Sequence, residues 1–390
     1  MNSPLPKPFV AIACGGTGGH LFPGLAVAGE LTRRGCDVAV LISPKDIDQQ
    51  AVKTATSVEV YPLPAVGLQN KNHLPFFFSF AKSFFAARKI FYHRRPDAVL
   101  AMGGFTSAPP IFAAKLFGAS TFLHESNTIP GRANRLLARF VDMAFIGFPE
   151  TALRLRAQKT LVTGTPVRPQ FSPAASSQQS AAICRKALGL DPHLPMVLVV
   201  GGSQGARGLN DLILSVLPLL AQKNWQWLHL TGPADFEKVQ AAYARLGLPA
   251  VVKPFLAEME WALSAATACL SRAGASSLAE IAALRLPSAV VPLPTAADNH
   301  QFFNAAAFAK TGAVSVLDQK NSPPEKVAAV ISELIENELV RVPIRSALAQ
   351  WHAPAAAGTI AENILSTLAA DFPRRFSVLS PGQAKLEVTA

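Results

Sequence analysis

Cysteine is scarce and scattered. Cys14, Cys36, Cys184 and Cys269 are the only four in 390 residues, with no CxxC pair and no histidine at metal-ligand spacing. That excludes a disulfide framework and a zinc module and predicts four reduced core residues of a cytosolic protein. Long apolar runs are missing too: no window holds about 20 uninterrupted apolar residues, so no helix is expected to span a bilayer. The apolar run Phe9–Cys14, which ends in glycines, is too short for the apolar region of a signal peptide. Acidic residues are in short supply, 25 against 36 Lys and Arg for a formal charge of +11, and the shortage is uneven. Residues 1–165 hold 18 basic and nine acidic side chains, whereas residues 166–390 hold 18 and 16. The first half is therefore expected to face an anionic partner or surface. Half the chain is hydrophobic and only 16% is charged, which excludes disorder and supplies material for packed cores.

What is present is a repeating alternation of short apolar runs with longer amphipathic ones. Phe9–Cys14, Val38–Ile42, Ala98–Met102, Ser120–Leu123 and Met143–Ile146 read as buried strands. The series restarts after the turn-rich Gly164-Thr165-Pro166 and a polar Ser/Gln/Ala stretch at Ser172–Ser180. Met196–Val200, Trp227–Leu230, Ala250–Lys253, Ala268–Ser271 and Ala289–Val291 follow as strands. Strand-helix alternation implies parallel sheets with helices on both faces, hence two doubly wound α/β Rossmann-like domains. The expected division is 1–165, 166–350, a helix at 351–370 packing back on the first domain, and a tail at 371–390.

An internal repeat agrees. VAIACGGTGGHLFPGLAVA from Val10 and VLVVGGSQGARGLNDLI from Val197 both run strand, glycine loop, helix. Gly15, Gly16, Thr17 and Gly19 align with Gly201, Gly202, Ser203 and Gly205. Such loops let backbone N–H groups and a helix N-terminus approach a phosphate. Neither is GxGxxG, and the strand Val38–Ile42 runs into Ser43-Pro44 rather than an acid for a ribose, which argues against NAD. Asp46-Ile47-Asp48 looks like a metal-clamping DxD, but two adjacent carboxylates in a polar loop supply too few convergent oxygens, so no metal is expected. The loops differ at one informative place: His20 follows the last shared glycine in the first, Ala206 in the second. A histidine opening a helix beside a phosphate or sugar site is a candidate base, its neutral form favoured by the helix dipole.

Lys71–Arg95 holds seven phenylalanines, six Lys or Arg and no acid. At helical spacing Phe80, Phe84, Ala87 and Phe91 can face a core, while Phe77, Ala81 and Phe85 form a second apolar stripe. Surplus aromatics with a basic flank suit the headgroup boundary of an anionic membrane. Nucleic acid is not an expected partner, because no reading motif accompanies the charge.

GGTGGHLFPGLAVA, MGGFTSAP, HESN, GTPVR, GGSQGARGLN, SRAGASSLAE and AADNHQFFNA, in this order between Phe9 and Ala370, resemble the undecaprenyl-diphospho-muramoylpentapeptide beta-N-acetylglucosaminyltransferase (MurG) family. The resemblance implies the two-domain glycosyltransferase B-type fold with an interdomain cleft. It also implies transfer of N-acetylglucosamine from UDP-N-acetylglucosamine to the muramoyl sugar of a lipid-linked muramoylpentapeptide (lipid I), giving lipid II for peptidoglycan at the cytoplasmic face of the inner membrane, with no cofactor. Thr17, Gly18 and Gly19 would border the donor sugar and diphosphate, Asn127 and Gln301 would contact the sugar, and Arg168 and Ser203 the phosphates. Leu256 would contact uracil through its backbone, and Ala275, Ser276, Ser277, Leu278, Ala279 and Glu280 would open the nucleotide-binding helix, with Glu280 accepting from the ribose. His300 stands where some members carry a second glutamine.

By this resemblance the reaction is displacement with inversion at the anomeric carbon, with His20 as base and His124 or Glu125 as substitutes. A B-type transferase with a soluble acceptor, a nucleotide-sugar epimerase and a non-catalytic membrane module are the competing readings. The first would not need the Lys71–Arg95 surface, the second would convert donor without acceptor, and the third leaves two matched glycine loops unexplained. Alone, Glu280 could be a solvated helix carboxylate and Arg168 a surface cation.

Overall fold

The structure, a computed structural model, describes residues 7–14, 18–43, 58–64, 73–171, 180–202 and 205–371. Gly15, Gly16, Thr17, Asp46, Asp48, Lys71, Ser203 and the tail after Asp371 lie outside them. Among the described residues the first sheet contains β1 (Phe9–Ala13), β2 (Asp37–Ile42), β3 (Glu59–Pro62), β4 (Ala98–Ala101), β5 (Ser120–Glu125), β6 (Met143–Ile146) and β7 (Thr160–Val162), in the order 3-2-1-4-5-6-7. The second contains β8 (Met196–Val200), β9 (Gln226–Leu230), β10 (Ala250–Lys253), β11 (Ala268–Ser271), β12 (Ser288–Val290) and β13 (Ser315–Val316), in the order 10-9-8-11-12-13. All pairings are parallel; Val10, for example, lies between Val38 and Ala98.

The helices of the first half are α1 (Gly18–Arg33), α2 (His73–His93), α3 (Ala108–Leu116) and α4 (Arg132–Leu137). Those that follow are α5 (Ala181–Ala187), α6 (Arg207–Val216), α7 (Phe236–Arg245), α8 (Met259–Ala265), α9 (Ala275–Ala283), α10 (His300–Lys310), α11 (Pro324–Glu336), α12 (Glu338–Trp351) and α13 (Ala356–Asp371). Helices on both faces explain why β1 is buried at every position and reads as an unbroken apolar run. All ten runs expected as strands fall on strands. β3, β7 and β13 were not expected: they are short, carry exposed residues and lie at sheet edges, so no unbroken apolar run marks them.

After α12 the chain returns to the first sheet. Ile360, Ile364 and Leu368 of α13 pack with Val10, Leu21, Val27 and Phe122 in one core, and Ser120 Oγ donates to Asp371 at 2.7 Å. Trp351, at the end of α12, stacks on Phe308 with ring centroids 4.2 Å apart and lies 5.5 Å from Phe148 of the first half.

Candidate active-site cleft

Each sheet reverses its strand order once, between β1 and β4 in the first and between β8 and β11 in the second. At such a point successive connections leave for opposite faces and open a crevice beyond the carboxyl ends of the strands. Among the described residues, Gly18, Gly19 and His20 open α1 after β1, and Ala275 to Glu280 lie in α9 after β11.

His20 sits in the first turn of α1, half-buried. Its ring lies against Gly103, where an added Cβ would come within 3.0 Å of His20 Nε2 and 3.2 Å of Asn134 Nδ2. Gly103 also holds φ +112°, which side chains rarely tolerate, so glycine is required on both counts. Behind it, at the end of β5, His124 and Glu125 are buried. His124 Nε2 lies 3.1 Å from the Gly164 carbonyl and Nδ1 3.3 Å from Ser126 Oγ. Burial, with a smaller push from His20, pulls its pKa down to about 4 against the Gly164 carbonyl, so it is neutral near pH 7. Glu125 accepts from Asn127 N–H (2.8 Å) and Nδ2 (3.0 Å), Gly131 N–H (2.9 Å) and Asn134 Nδ2 (2.8 Å). It brackets the loop rather than facing a ligand. Of the three titratable groups expected here, His20 alone is not fully buried.

Across the cleft, Glu280 lies in the second turn of α9. Burial pushes its pKa up to about 7; the Arg168 guanidinium opposes this and Glu260 adds to it. Glu280 itself is half-buried. The Arg168 guanidinium stands 4.2 Å from the ring centre of Phe22, in α1, and 4.9 Å from that of Phe171, so it is no free surface cation. Arg168 Nε and Glu260 Oε2 are buried without a hydrogen bond among the described residues. Buried polar atoms are nearly always paired, so two unmet ones beside a destabilised carboxylate mark a place where a polar ligand fits. Leu256 and Leu278 bury their side chains in the second core, leaving Leu256 only its backbone for a ligand. Ala275 is buried, and Ser276, Ser277 and Ala279 are half-buried along α9. Gln301 Oε1 accepts from Leu293 N–H at 2.9 Å, and its Nε2 makes no hydrogen bond among the described residues.

The two walls are joined by named bonds. Ser276 Oγ donates to the Gly19 carbonyl at 2.9 Å. Asn304, fully buried in α10, accepts on Oδ1 from Thr128 N–H (2.9 Å) and Oγ1 (3.0 Å), and donates from Nδ2 to Asn127 Oδ1 (3.0 Å) and the Ala273 carbonyl (3.2 Å). Asp298 pairs with Arg132 and Arg135. Structure thus adds Gly103, Asn134, Glu260 and Asn304 to the expected residues. Asn304 stood in the quoted AADNHQFFNA, but nothing in the sequence separates Glu260 from an ordinary solvated helix acid.

Away from the cleft, α2 buries Ala87 and Phe91 completely and packs Phe80 and Phe84 against the first core. Phe77, Phe78 and Phe85 remain 65%, 76% and 61% exposed, with Lys82, Arg88 and Lys89 exposed on the same helix.

Residues 10–146 match the glycosyltransferase family 28 N-terminal domain, and residues 196–359 match the glycosyltransferase family 28 C-terminal domain. The chain is 36% identical over 334 residues to the UDP-N-acetylglucosamine--N-acetylmuramyl-(pentapeptide) pyrophosphoryl-undecaprenol N-acetylglucosamine transferase of Mesorhizobium japonicum, spanning 84% of this chain and 87% of that protein. It is 32% identical over 368 residues to the protein of the same description from Listeria welshimeri, spanning 92% and 99%. Acinetobacter baumannii MurG superimposes with a TM-score of 0.70 at 28% identity, over 93% of this chain and 100% of that one. UDP-GlcNAc 2-epimerase from Neisseria meningitidis, bound to UDP-GlcNAc, also reaches 0.70 but at 14% identity, over 92% and 100%, and shares the fold alone.

Proposed function

This chain belongs to glycosyltransferase family 28, and from that premise we propose how its cleft performs the transfer for which its curated relatives are named. The protein is a glycosyltransferase that moves N-acetylglucosamine from UDP-N-acetylglucosamine to the muramoyl sugar of undecaprenyl-diphospho-muramoylpentapeptide in peptidoglycan synthesis.

The observation that carries the donor half of the mechanism is the cluster of Glu280, Arg168 and Glu260 at the opening of α9. Ribose hydroxyls donating to Glu280 return to that carboxylate the hydrogen bonds that burial removed. Leu256 offers backbone groups to the base, and Gln301 and Asn127 face the sugar, Asn127 held in place by Glu125 and Asn304. Gly18 and Gly19, with the neighbouring Thr17, border the diphosphate from the first half. Arg168, Ser203 and the N-terminus of α6 meet the charge that grows on the diphosphate as it leaves.

The acceptor hydroxyl passes its proton to His20 Nε2 or Nδ1 as its oxygen bonds to the anomeric carbon, and the carbon–oxygen bond to UDP breaks on the opposite face, inverting the centre. Base and leaving-group stabilisers lie on different lobes, so closing the cleft assembles the site. The division 1–165, 166–350, 351–370 and 371–390 describes those lobes, the returning helix and the tail.

The acceptor's lipid stays in the bilayer while its sugar enters the cleft. Exposed Phe77, Phe78 and Phe85 beside Lys82, Arg88 and Lys89 support peripheral docking of α2 on the anionic cytoplasmic face of the membrane. No helix among the described residues is long and apolar enough to cross a membrane.

Incubation with labelled UDP-N-acetylglucosamine and a lipid I analogue tests the reading. The expected product is the acceptor heavier by one N-acetylhexosamine, formed only when both substrates are present. Conversion of the donor without acceptor would favour an epimerase, and an inert donor and acceptor would overturn the reading.

A further inference from the structure

Behind the second sheet, away from the cleft, lies a cavity of about 490 Å³. Its walls come from the chain entering β11 and β12 and from α5, α8 and α12. These are the amino ends of the strands, whereas the donor cluster follows the carboxyl end of β11, so cavity and cleft occupy opposite edges of one sheet. Four arginines, Arg185, Arg285, Arg341 and Arg345, line the cavity with Ser180, Ser264 and Thr267, and no acidic residue does among the described residues. Acids act only from outside the wall: Glu338 is shared by Arg341 and Arg345, and Asp191 influences Arg185. Positive charge is left in excess.

Two of the arginines have structural tasks. Arg185 donates to the carbonyls of Ala265 and Pro192 and to Thr267 Oγ1, and Arg341 donates to the carbonyls of Leu334 and Ile335, at helix ends where the dipole is negative. Arg345 spends one nitrogen on Glu338. The Arg285 side chain makes no hydrogen bond or ion pair among the described residues, and its backbone is left-handed at φ +50°.

That backbone is informative because the chain supplies its own comparison. α9 closes with Leu286 N–H bonded to the Ile281 carbonyl and Arg285 N–H to the Ala282 carbonyl. The same pair of bonds closes α1, α3, α5, α7 and α10, and there the left-handed residue is Gly35, Gly118, Gly189, Gly247 and Gly312. Only α9, of these six, places an arginine in a conformation that costs any residue with a Cβ. Arg285 is exposed and is one of the residues that line the cavity. Strain retained at one position of a repeated motif points to a use for the side chain.

We propose that this cavity is a second ligand site that takes the phosphate or diphosphate group of a molecule other than the donor, with Arg285 and Arg345 as its open cationic donors. Planar guanidiniums match phosphate oxygens in pairs, and the volume falls within the range of about 300–1,000 Å³ usual for small-molecule sites. Phosphate could arrive on a soluble metabolite or on a lipid headgroup. The site does not depend on the reading of the cleft.

The test uses the full chain with UDP present in excess. It is titrated calorimetrically with inorganic pyrophosphate and, separately, with dihexanoyl phosphatidylglycerol below its micelle concentration. One equivalent of one probe is expected to bind. Arg285→Gly should weaken that binding roughly tenfold while leaving Tm unchanged or raised, because glycine relieves the left-handed strain. Arg345→Gln should weaken the same binding. The tighter probe identifies a soluble ligand or a headgroup. Binding that Arg285→Gly leaves unchanged, or no binding by either probe, overturns the proposal. Pyrophosphate held by the glycine loops would be insensitive to Arg285→Gly, so failure here is distinguishable from failure of the donor site.

Discussion

Glu280 makes ligand binding depend on pH in a direction that the geometry fixes. Burial raises its pKa to about 7, so the fold disfavours the carboxylate, whereas ribose hydroxyls that donate to it favour the ionised form. A pKa of about 7 means the ionised fraction climbs from roughly 9% at pH 6 to roughly 91% at pH 8. Affinity should therefore rise about tenfold over those two units, near 1.4 kcal/mol, and level off above. The stability term has the opposite sign. A raised native pKa favours the fold fully below the unfolded value of 4.5, and that contribution is lost as pH rises through about 7. Uridine is the ligand of choice, since it carries the ribose but no phosphate to titrate in this range. NMR titration across pH 6 to 8 gives the affinities, and calorimetry in two buffers of different ionisation enthalpy counts protons released at pH 6. Glu280→Gln should bind uridine more weakly and without pH dependence. A wild-type affinity that is flat, or that falls with rising pH, would refute the ribose–carboxylate contact.

His20→Ala should lower kcat by about 10² to 10⁴ and leave UDP affinity nearly intact in calorimetry, and loss of both would make His20 structural. Asn304→Ala strands buried groups of Thr128 and Ala273, so thermal denaturation should show a loss of about 1 to 3 kcal/mol. An unchanged Tm would mean the two walls are not held by that side chain. Neutralising Lys82, Arg88 and Lys89 together should weaken sedimentation with anionic vesicles at low salt and raise the acceptor KM but not the donor KM. Equal binding of the wild type to neutral and anionic vesicles would remove the electrostatic part of docking.

Both sheets were legible because their central strands are covered on both faces, which forces apolar runs such as Val10–Cys14 and Met196–Val200. Edge strands such as Glu59–Pro62 face solvent, and with that requirement gone their signal disappears. The proposed cleft chemistry was legible where it sits inside a local motif, as with His20 after its glycine loop and Glu280 in SRAGASSLAE. It was not legible where function comes from approach in space. Asn127 and Asn304 are 177 residues apart and meet only through the packing of two lobes, and the burial that makes Glu260 unusual leaves no trace in its neighbours. Arg285 was invisible for a related reason, because only its φ separates it from an ordinary arginine in a turn.

The return of α13 to the first core has a consequence for synthesis. Val10, Leu21 and Phe122 emerge from the ribosome early, but Ile360 and Ile364, which cover them, follow roughly 240 to 350 residues later; at about 5 to 20 residues per second the delay is on the order of 10 to 70 s. Throughout that interval the nascent first lobe exposes an apolar strip on α1 and β5, while the second lobe can fold ahead of it. A ribosome stalled after Gln350 should carry a structured second lobe and a protease-sensitive first one, and release of the α13 segment should end the sensitivity.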